Sequence, residues 1–226
     1  MTLHNQVAVI TGASSGIGAA LAAAFVREGA QVALLARRGE RLAQLAARFG
    51  VERALAIPTD VADPGAVMQA QALVLARWPK VHVLVNNAGV YPPDGPMWET
   101  SPEDWRRTFD INVNGVFYCM RAFLPAMLAQ DYGRIINISS SMVDTPRAAA
   151  YSMSKNAVDL MTAILARELR PAHKDVIVSS LDPGWVHSEM SPDAPDDPNT
   201  VVPRALELAT LPKGAPNGNK WQIERR

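Results

Sequence analysis

Tyr151 and Lys155 stand four residues apart in Tyr151-Ser-Met-Ser-Lys155. On a helix this spacing places both side chains on one face, one turn apart. A phenol titrating near pH ~10 is a poor proton carrier at neutrality, and a neighbouring ammonium favours the phenolate and lowers that value. The pair therefore has the makings of an acid–base centre. Chance also produces such a spacing readily, so the pair needs support from the rest of the chain. Just upstream, Ser139, Ser140 and Ser141 follow Ile138 at the end of an apolar run. A hydroxyl at the carboxyl end of a strand can hold a substrate oxygen beside the tyrosine, or bond its own loop.

A second group of residues has the chemistry of a phosphate cradle. Thr11-Gly-Ala-Ser-Ser-Gly-Ile-Gly18 lies between a predicted strand and a predicted helix. Glycines give such a turn its backbone freedom and let phosphates approach main-chain N–H groups at the positive end of the helix. A plain tight turn is the alternative, and position after the first strand favours the cradle. The second strand ends in Ala36-Arg37-Arg38, with no carboxylate before Glu40. An NAD site usually places an acid there, whereas guanidiniums suit the 2′-phosphate of NADP(H) and stack on adenine. Both arginines could instead be solvated residues at a helix start. Asn86-Asn-Ala-Gly89 ends a further strand, where a nicotinamide ribose could sit.

These residues must be positioned by a regular alternation of short β-branched runs and longer helical patterns. Strands are expected at residues 6–11, 31–36, 53–57, 81–85, 134–138 and 175–181, with a short seventh at 221–223. Helices are expected at 19–27, 40–49, 64–78 and 151–170, together with a long helical region from Thr100-Ser-Pro-Glu103 to about Gln130. The alternation predicts an α/β fold, with a parallel sheet of six to seven strands doubly wound between helices on both faces. Nothing marks a linker, so residues 1–226 read as one domain; 191–199, rich in Pro and Asp, reads as a surface loop or a lid.

Composition excludes several classes. The 226 residues carry a formal net charge of zero, which gives no sign of a nucleic-acid or membrane-surface partner. No apolar run is long enough to span a bilayer, and the opening residues lack the build of a signal peptide. The cytoplasm is the expected compartment. Cys119, the lone cysteine, lies in an apolar stretch and reads as a packed thiol. His4, His82, His173 and His187 show no ligand spacing, so no metal site is expected.

Taken together, the motifs resemble the short-chain dehydrogenase/reductase family over nearly the whole chain. The resemblance is carried by Thr11-Gly-x3-Gly-Ile-Gly18, Asp60-Val61, Asn86-Asn-Ala-Gly89, Asn112 in Ile-Asn-Val-Asn-Gly, the serines after Ile138, Tyr151-x3-Lys155 and Pro183-Gly184. It implies a Rossmann-like fold binding NADP(H), with Gly12, Ser14, Ser15, Gly16, Ile17 and Gly18 on the phosphates and Arg37 and Arg38 on the 2′-phosphate. Asp60 and Val61 would meet the adenine, and Asn87, Ala88 and Gly89 would line the ribose. Tyr151 would act as acid in reduction and base in oxidation. Lys155 would hold the nicotinamide ribose and tune the tyrosine, and Asn112 would anchor a water relaying protons toward Lys155. Pro183, Gly184, Val186 and Ser188 would cover the nicotinamide. The segment from Asp182 to Met190 looks most like small carbonyl reductases, which implies a small-molecule carbonyl or alcohol as substrate. Tyr91, Pro92, Pro93, Trp98, Met142, Val143, Trp185 and Met190 could furnish its apolar pocket, although several could equally pack the core.

The sequence departs from the family pattern in two places. Ser140 precedes Tyr151 by 11 residues and Ser139 by 12, both shorter than the family interval, so the working serine has to be chosen. Ser140 shares strand parity with Ile136 and Ile138, and the family's register makes it the expected one; Ser139 is the runner-up, because a bulge would swap the faces. The tail from Thr200 lacks the family's glycine-rich ending, which leaves homodimer and homotetramer both open. A regulator that binds dinucleotide without catalysis would be expected to lose Tyr151 or Lys155. A dehydratase or epimerase tends to have a larger substrate region.

Overall fold

All five residues of β1 (Val7–Thr11) are buried, as a central strand covered on both faces requires. The computed structural model describes residues 3–172 and 174–223; His173 and the Glu224-Arg225-Arg226 ending lie outside them. Around β1 lie β2 (Gln31–Ala36), β3 (Ala54–Pro58), β4 (Val83–Asn86), β5 (Gly133–Ile138), β6 (Val176–Asp182) and β7 (Lys220–Gln222). They form one seven-stranded sheet, wholly parallel, in the order β3-β2-β1-β4-β5-β6-β7. Pro58 falls inside β3, which an edge strand tolerates because no neighbour needs its N–H. The order reverses between β1 and β4, and it is at such a switch point that the strand ends leave a crevice.

Alternate strand residues feed two cores, one on each face. Ala8, Ile10, Val32 and Leu34 pack with Leu21 and Phe25 of α1 (Gly16–Arg27), and α2 (Gly39–Phe49) adds Leu42 to that face. Val7, Val9, Ala33 and Leu35 pack with Val67 and Val74 of α3 (Pro64–Arg77). Cys119 is buried in the same cluster, where desolvation pushes its thiol up to about 12, a packed group rather than a nucleophile.

Local signals start the helices. Asp63 accepts from the Gly65 N–H at 2.8 Å ahead of Pro64 in α3. Ser101 accepts from the Asp104 N–H at 2.9 Å to open α4 (Pro102–Phe109). Such caps contribute ~1 kcal/mol each. The long helical region expected after residue 100 is interrupted: a π turn, Asp110–Asn114, separates α4 from α5 (Gly115–Ala129). α1 starts at Gly16, so Gly16 and Gly18 form its first turn while Gly12 precedes it.

α6 (Ala149–Leu169) carries Tyr151 and Lys155. Beyond β6, the end of the segment 191–199, expected to be a surface loop or a lid, enters a 3₁₀ turn (Pro198–Val201), and a helix that the sequence reading did not assign, α7 (Val202–Ala209), follows it. Pro203 hid this helix from the sequence pattern, yet proline in a first turn loses no hydrogen bond. Ala205, Leu208 and Ala209 bury against the α1 face. The buried Arg134 guanidinium donates to the Leu211 carbonyl at 2.8 and 2.6 Å and to the Asp175 carbonyl at 2.9 Å, holding the tail against β5. β7 then returns beside β6 with Ser180 opposite Lys220. Among the described residues, no helix is long and apolar enough to cross a membrane.

Candidate active site

The carboxyl ends of β1, β4, β5 and β6 open onto one cleft of about 1050 Å³. Its floor is the glycine turn. A Cβ on Gly18 would stand 2.4 Å from the Gly12 carbonyl and 2.6 Å from Asn87 Nδ2, so only glycine lets α1 start against the turn. Gly12 has φ +64°, a left-handed conformation suited to glycine. Thr11 and Asn87 staple this turn to the end of β4. The Thr11 hydroxyl accepts from the N–H groups of Asn87 and Ala88 at 2.9 and 3.0 Å, and Asn87 Nδ2 donates to the Thr11 carbonyl at 2.9 Å. The Asn87 amide is thus engaged with the turn itself, although Asn87, Ala88 and Gly89 all line the cleft.

Arg38 bridges the turn to the far wall. Its guanidinium donates to the Ser14 hydroxyl at 2.9 Å, to the Ser15 hydroxyl at 2.8 Å and to Glu189 at 2.5 Å. Glu189 also accepts from Arg41, and the two guanidiniums hold its carboxyl below the usual range. Arg37 is exposed at the same rim. Asp60 accepts from the Ala62 N–H at 3.0 Å, an Asx turn that also presents Val61 to the cleft. Glu189 was not singled out in the sequence, because nothing local marks a residue whose partners lie about 150 positions upstream.

The reactive groups gather at the other end. The Tyr151 ring is buried, with the Ser140 hydroxyl as hydrogen-bond partner of its phenol. Ser140 Oγ also accepts from the Met142 N–H at 3.0 Å. Ser139 lines the cleft as well, but its N–H continues the ladder to the Leu181 carbonyl at 2.8 Å and its Oγ is buried with no partner. Lys155 is buried and donates to the Ile138 carbonyl at 2.7 Å. The expectation that Lys155 lowers the Tyr151 pKa is not met by this arrangement: burial pushes the phenol up to about 12, Ser140 pulls it down and Asp182 pushes it up. The ammonium is directed at a carbonyl rather than at the phenolic oxygen. Burial also brings Lys155 down to about 8, with Asp159 raising it and Lys220 lowering it further.

Asn112 sits in the π turn and faces the loop after β4. Its Oδ1 accepts from the Val90 N–H at 2.8 Å, while Nδ2 donates to the Val90 carbonyl at 2.9 Å and to Ser154 Oγ at 3.0 Å. A Cβ on Gly89 would lie 3.3 Å from Asn112 Oδ1 and 3.8 Å from Lys155 Nζ, which brings the asparagine and the lysine together beside Gly89. Pro183, Gly184, Val186 and Ser188 line the opposite wall. Ser188 packs over the glycine turn, since a Cβ on Gly16 would meet its Cβ at 3.3 Å.

The substrate end is bounded by Tyr91, Pro92, Pro93, Met142, Trp185 and Met190. The Tyr91 ring lies 4.7 Å from that of Tyr151, and its hydroxyl donates to Asp94 at 2.5 Å. Trp98 and Val143 are not among the lining residues, and Trp98 is 84% exposed. Thr108 and Ile111 do line it, unannounced by any sequence motif, because helix entry angles decide which of their residues face the crevice. Among the described residues, no three His, Cys, Asp or Glu side chains cluster to hold a metal ion.

Known proteins share both sequence and architecture with this chain. A profile described as short chain dehydrogenase matches residues 6–199. A 2-dehydro-3-deoxy-L-rhamnonate dehydrogenase (NAD(+)) from a Sphingomonas species is 38% identical over 192 residues, covering 84% of this chain and 76% of that protein. A 3-oxoacyl-[acyl-carrier-protein] reductase from a Synechocystis species is 36% identical over 203 residues, covering 87% and 80%. Among solved structures, a 3-ketoacyl-(acyl-carrier-protein) reductase from Brucella melitensis, complexed with NADH, superposes with a TM-score of 0.92 at 27% identity, over 98% of each chain. A serine dehydrogenase complexed with NADP+ reaches 0.89 at 27% identity, over 96% of this chain and 94% of its own. On sequence, sheet order and overall superposition, the chain belongs to the short-chain dehydrogenase/reductase family of oxidoreductases.

Proposed function

We propose that this protein is an NADP(H)-dependent oxidoreductase interconverting a small-molecule carbonyl and its alcohol. The observation that carries the reading is the meeting of Ser140, Tyr151 and Lys155 in one cleft whose other end holds Arg38 against the glycine turn. The residues present fit the cofactor. A Cβ would fill the turn at Gly12 and Gly18, the helix start would offer N–H groups to a pyrophosphate, and Arg37 and Arg38 would meet a 2′-phosphate where β2 ends without an acid. When bound, the reduced nicotinamide supplies a hydride to the carbonyl carbon.

The chain's own residues handle the proton. The Ser140 hydroxyl, one lone pair of which is taken by the Met142 N–H, would turn its single O–H from the Tyr151 phenol to the substrate oxygen. Tyr151 gives its phenolic proton to that oxygen in reduction and takes it back in oxidation; a phenol pushed up to about 12 is fully protonated at neutral pH and so is ready as the acid. Lys155, whose Nζ lies beside Gly89, would hold the nicotinamide ribose and return a proton toward Tyr151. Both N–H groups of the Asn112 amide are engaged and its Oδ1 already accepts from the Val90 N–H, so a water relaying protons to Lys155 would be held by the remaining Oδ1 lone pair or by the main-chain carbonyl. The apolar rim from Tyr91 to Pro93, with Met142 and Met190, excludes water from the reacting carbon.

Quenching and shift of NADPH fluorescence on mixing tests binding, and absorbance at the NADPH band with a panel of ketones and aldehydes tests turnover. Binding with turnover supports the reading. Binding without turnover of any carbonyl, or of any secondary alcohol with NADP, would make the protein a dinucleotide-binding regulator instead.

A further inference from the structure

The chain leaves β5 between two ammonium groups from different parts of the sequence. Lys155, on α6, donates to the Ile138 carbonyl at 2.7 Å. Lys220, on β7, donates to the Ser140 carbonyl at 2.6 Å. Between them the Ser139 N–H is fixed to the Leu181 carbonyl on β6. Three successive residues at the strand end, Ile138 to Ser140, are thus held by three elements, and the last of the three carries the hydroxyl that meets Tyr151. Lys220 makes a second contact, to Asp159 Oδ2 at 2.7 Å, and Asp159 lies one helical turn beyond Lys155 on α6. The lysine therefore joins the serine peptide to the helix that carries the tyrosine.

We propose that Lys220 is a positioning residue of the reaction, bracing the Ser140 peptide against Asp159 so that the serine hydroxyl and the Tyr151 phenol keep a fixed separation. The inference rests on the role given above to Ser140. Lys220 lies outside residues 6–199 that match the family profile, in a tail brought to the site by the pairing of β7 with β6, Ser180 opposite Lys220, Leu181 opposite Trp221 and Asp182 opposite Gln222. Its Nζ is the donor recorded on the Ser140 carbonyl, whereas the serine hydroxyl is held separately by the Met142 N–H. Losing the lysine leaves the hydroxyl its local partner but lets the peptide move relative to α6. Misplacement of a reacting group by ~1 Å can cost as much as ~100-fold in rate. The side chain is 29% exposed and that of Asp159 19%, so the pair is mostly buried and removing the lysine alone also leaves the Asp159 carboxylate without its ion-pair partner, a cost in stability that the melting measurement reads.

The test compares Lys220→Met, Lys220→Arg, Ser140→Ala and the double variant Ser140→Ala/Lys220→Met. Each is assayed with NADPH and the fastest carbonyl of the panel, alongside NADPH binding and thermal melting. Expected for Lys220→Met is a fall in kcat of about tenfold or more with NADPH affinity unchanged. Lys220→Arg should recover most of it, and the methionine change should add nothing once Ser140 is alanine. If Ser140→Ala loses turnover while Lys220→Met keeps it, this inference fails and the reading of Ser140 stands. If Ser140→Ala keeps turnover, both fail. A loss in Lys220→Met that arginine does not restore, or that equals a loss of NADPH binding, would mean general loosening of the fold and would also overturn the proposal.

Discussion

The Lys155 ammonium lies 5.6 Å from the centre of the Tyr151 ring while donating to the Ile138 carbonyl at 2.7 Å, so the two groups are neighbours without being a hydrogen-bonded pair. Their titrations then separate. Burial lowers Lys155 to about 8 and raises Tyr151 to about 12. Below about 8 the lysine is charged and the phenol protonated; above it the lysine loses its charge first.

Carbonyl reduction should therefore decline as pH rises through about 8, the lysine limb, well before the phenol titrates. A profile of kcat/KM with NADPH checks this, and a flat profile up to pH ~10, the ordinary phenol range, would contradict it. Stability has the opposite sign. Between about 8 and the ordinary lysine value of 10.5 the unfolded chain keeps a proton the folded chain has lost, so wild type should gain stability relative to Lys155→Met as pH rises across that window.

Cofactor preference should follow Arg38. Loss of a charge-assisted contact to the 2′-phosphate costs roughly 1.5–3 kcal/mol, more than tenfold in affinity. Arg38→Ala should weaken NADPH by that factor and leave NADH nearly unchanged, with a smaller effect from Arg37→Ala. Glu189 competes for the same guanidinium, so Glu189→Gln should tighten NADPH binding modestly, as befits an exposed ion pair. Equal dissociation constants for NADPH and NADH in the wild type would refute the preference.

The two serines should separate cleanly. Ser140→Ala removes the hydroxyl that meets Tyr151, whereas Ser139→Ala removes a buried Oγ with no partner. Turnover should collapse in the first and survive in the second, since deleting an unsatisfied group is neutral or stabilising. The reverse pattern would place the substrate oxygen on the other side of the strand end.

We propose a homodimer or homotetramer built on α5 and α6. Phe117, Met153, Leu160 and Ile164 are 47%, 48%, 60% and 44% exposed, and 153, 160 and 164 share one face of α6. Light scattering at micromolar concentration should give a multiple of 24.4 kDa, reduced by Leu160→Glu; a particle of 24.4 kDa would refute the assembly.

The sheet was legible because β1, β2 and β4 are short, mainly apolar runs closed by turn residues, and the site because its motifs sit at strand ends. What could not be read has a common physical cause in long-range contact. The π turn at Asn112 accompanies contacts with Val90 and Ser154 that no local pattern reveals. α7 begins at a proline-interrupted segment and is stabilised by burial against α1. The direction of the Lys155 ammonium depends on the Ile138 carbonyl across the cleft, so helical spacing placed the lysine near Tyr151 without fixing what it would bond.

The most direct test of the account is the rate of NADPH oxidation by wild type and Tyr151→Phe with the fastest carbonyl of the panel, NADPH binding being measured on the same samples. Phenylalanine keeps the ring and its packing against Tyr91 and removes only the transferable proton. The account predicts unchanged NADPH affinity and a fall in turnover of about 10²–10⁴-fold, the usual contribution of a general acid. Turnover within a factor of ~2 of wild type, far short of that contribution, would show that Tyr151 does not carry the proton.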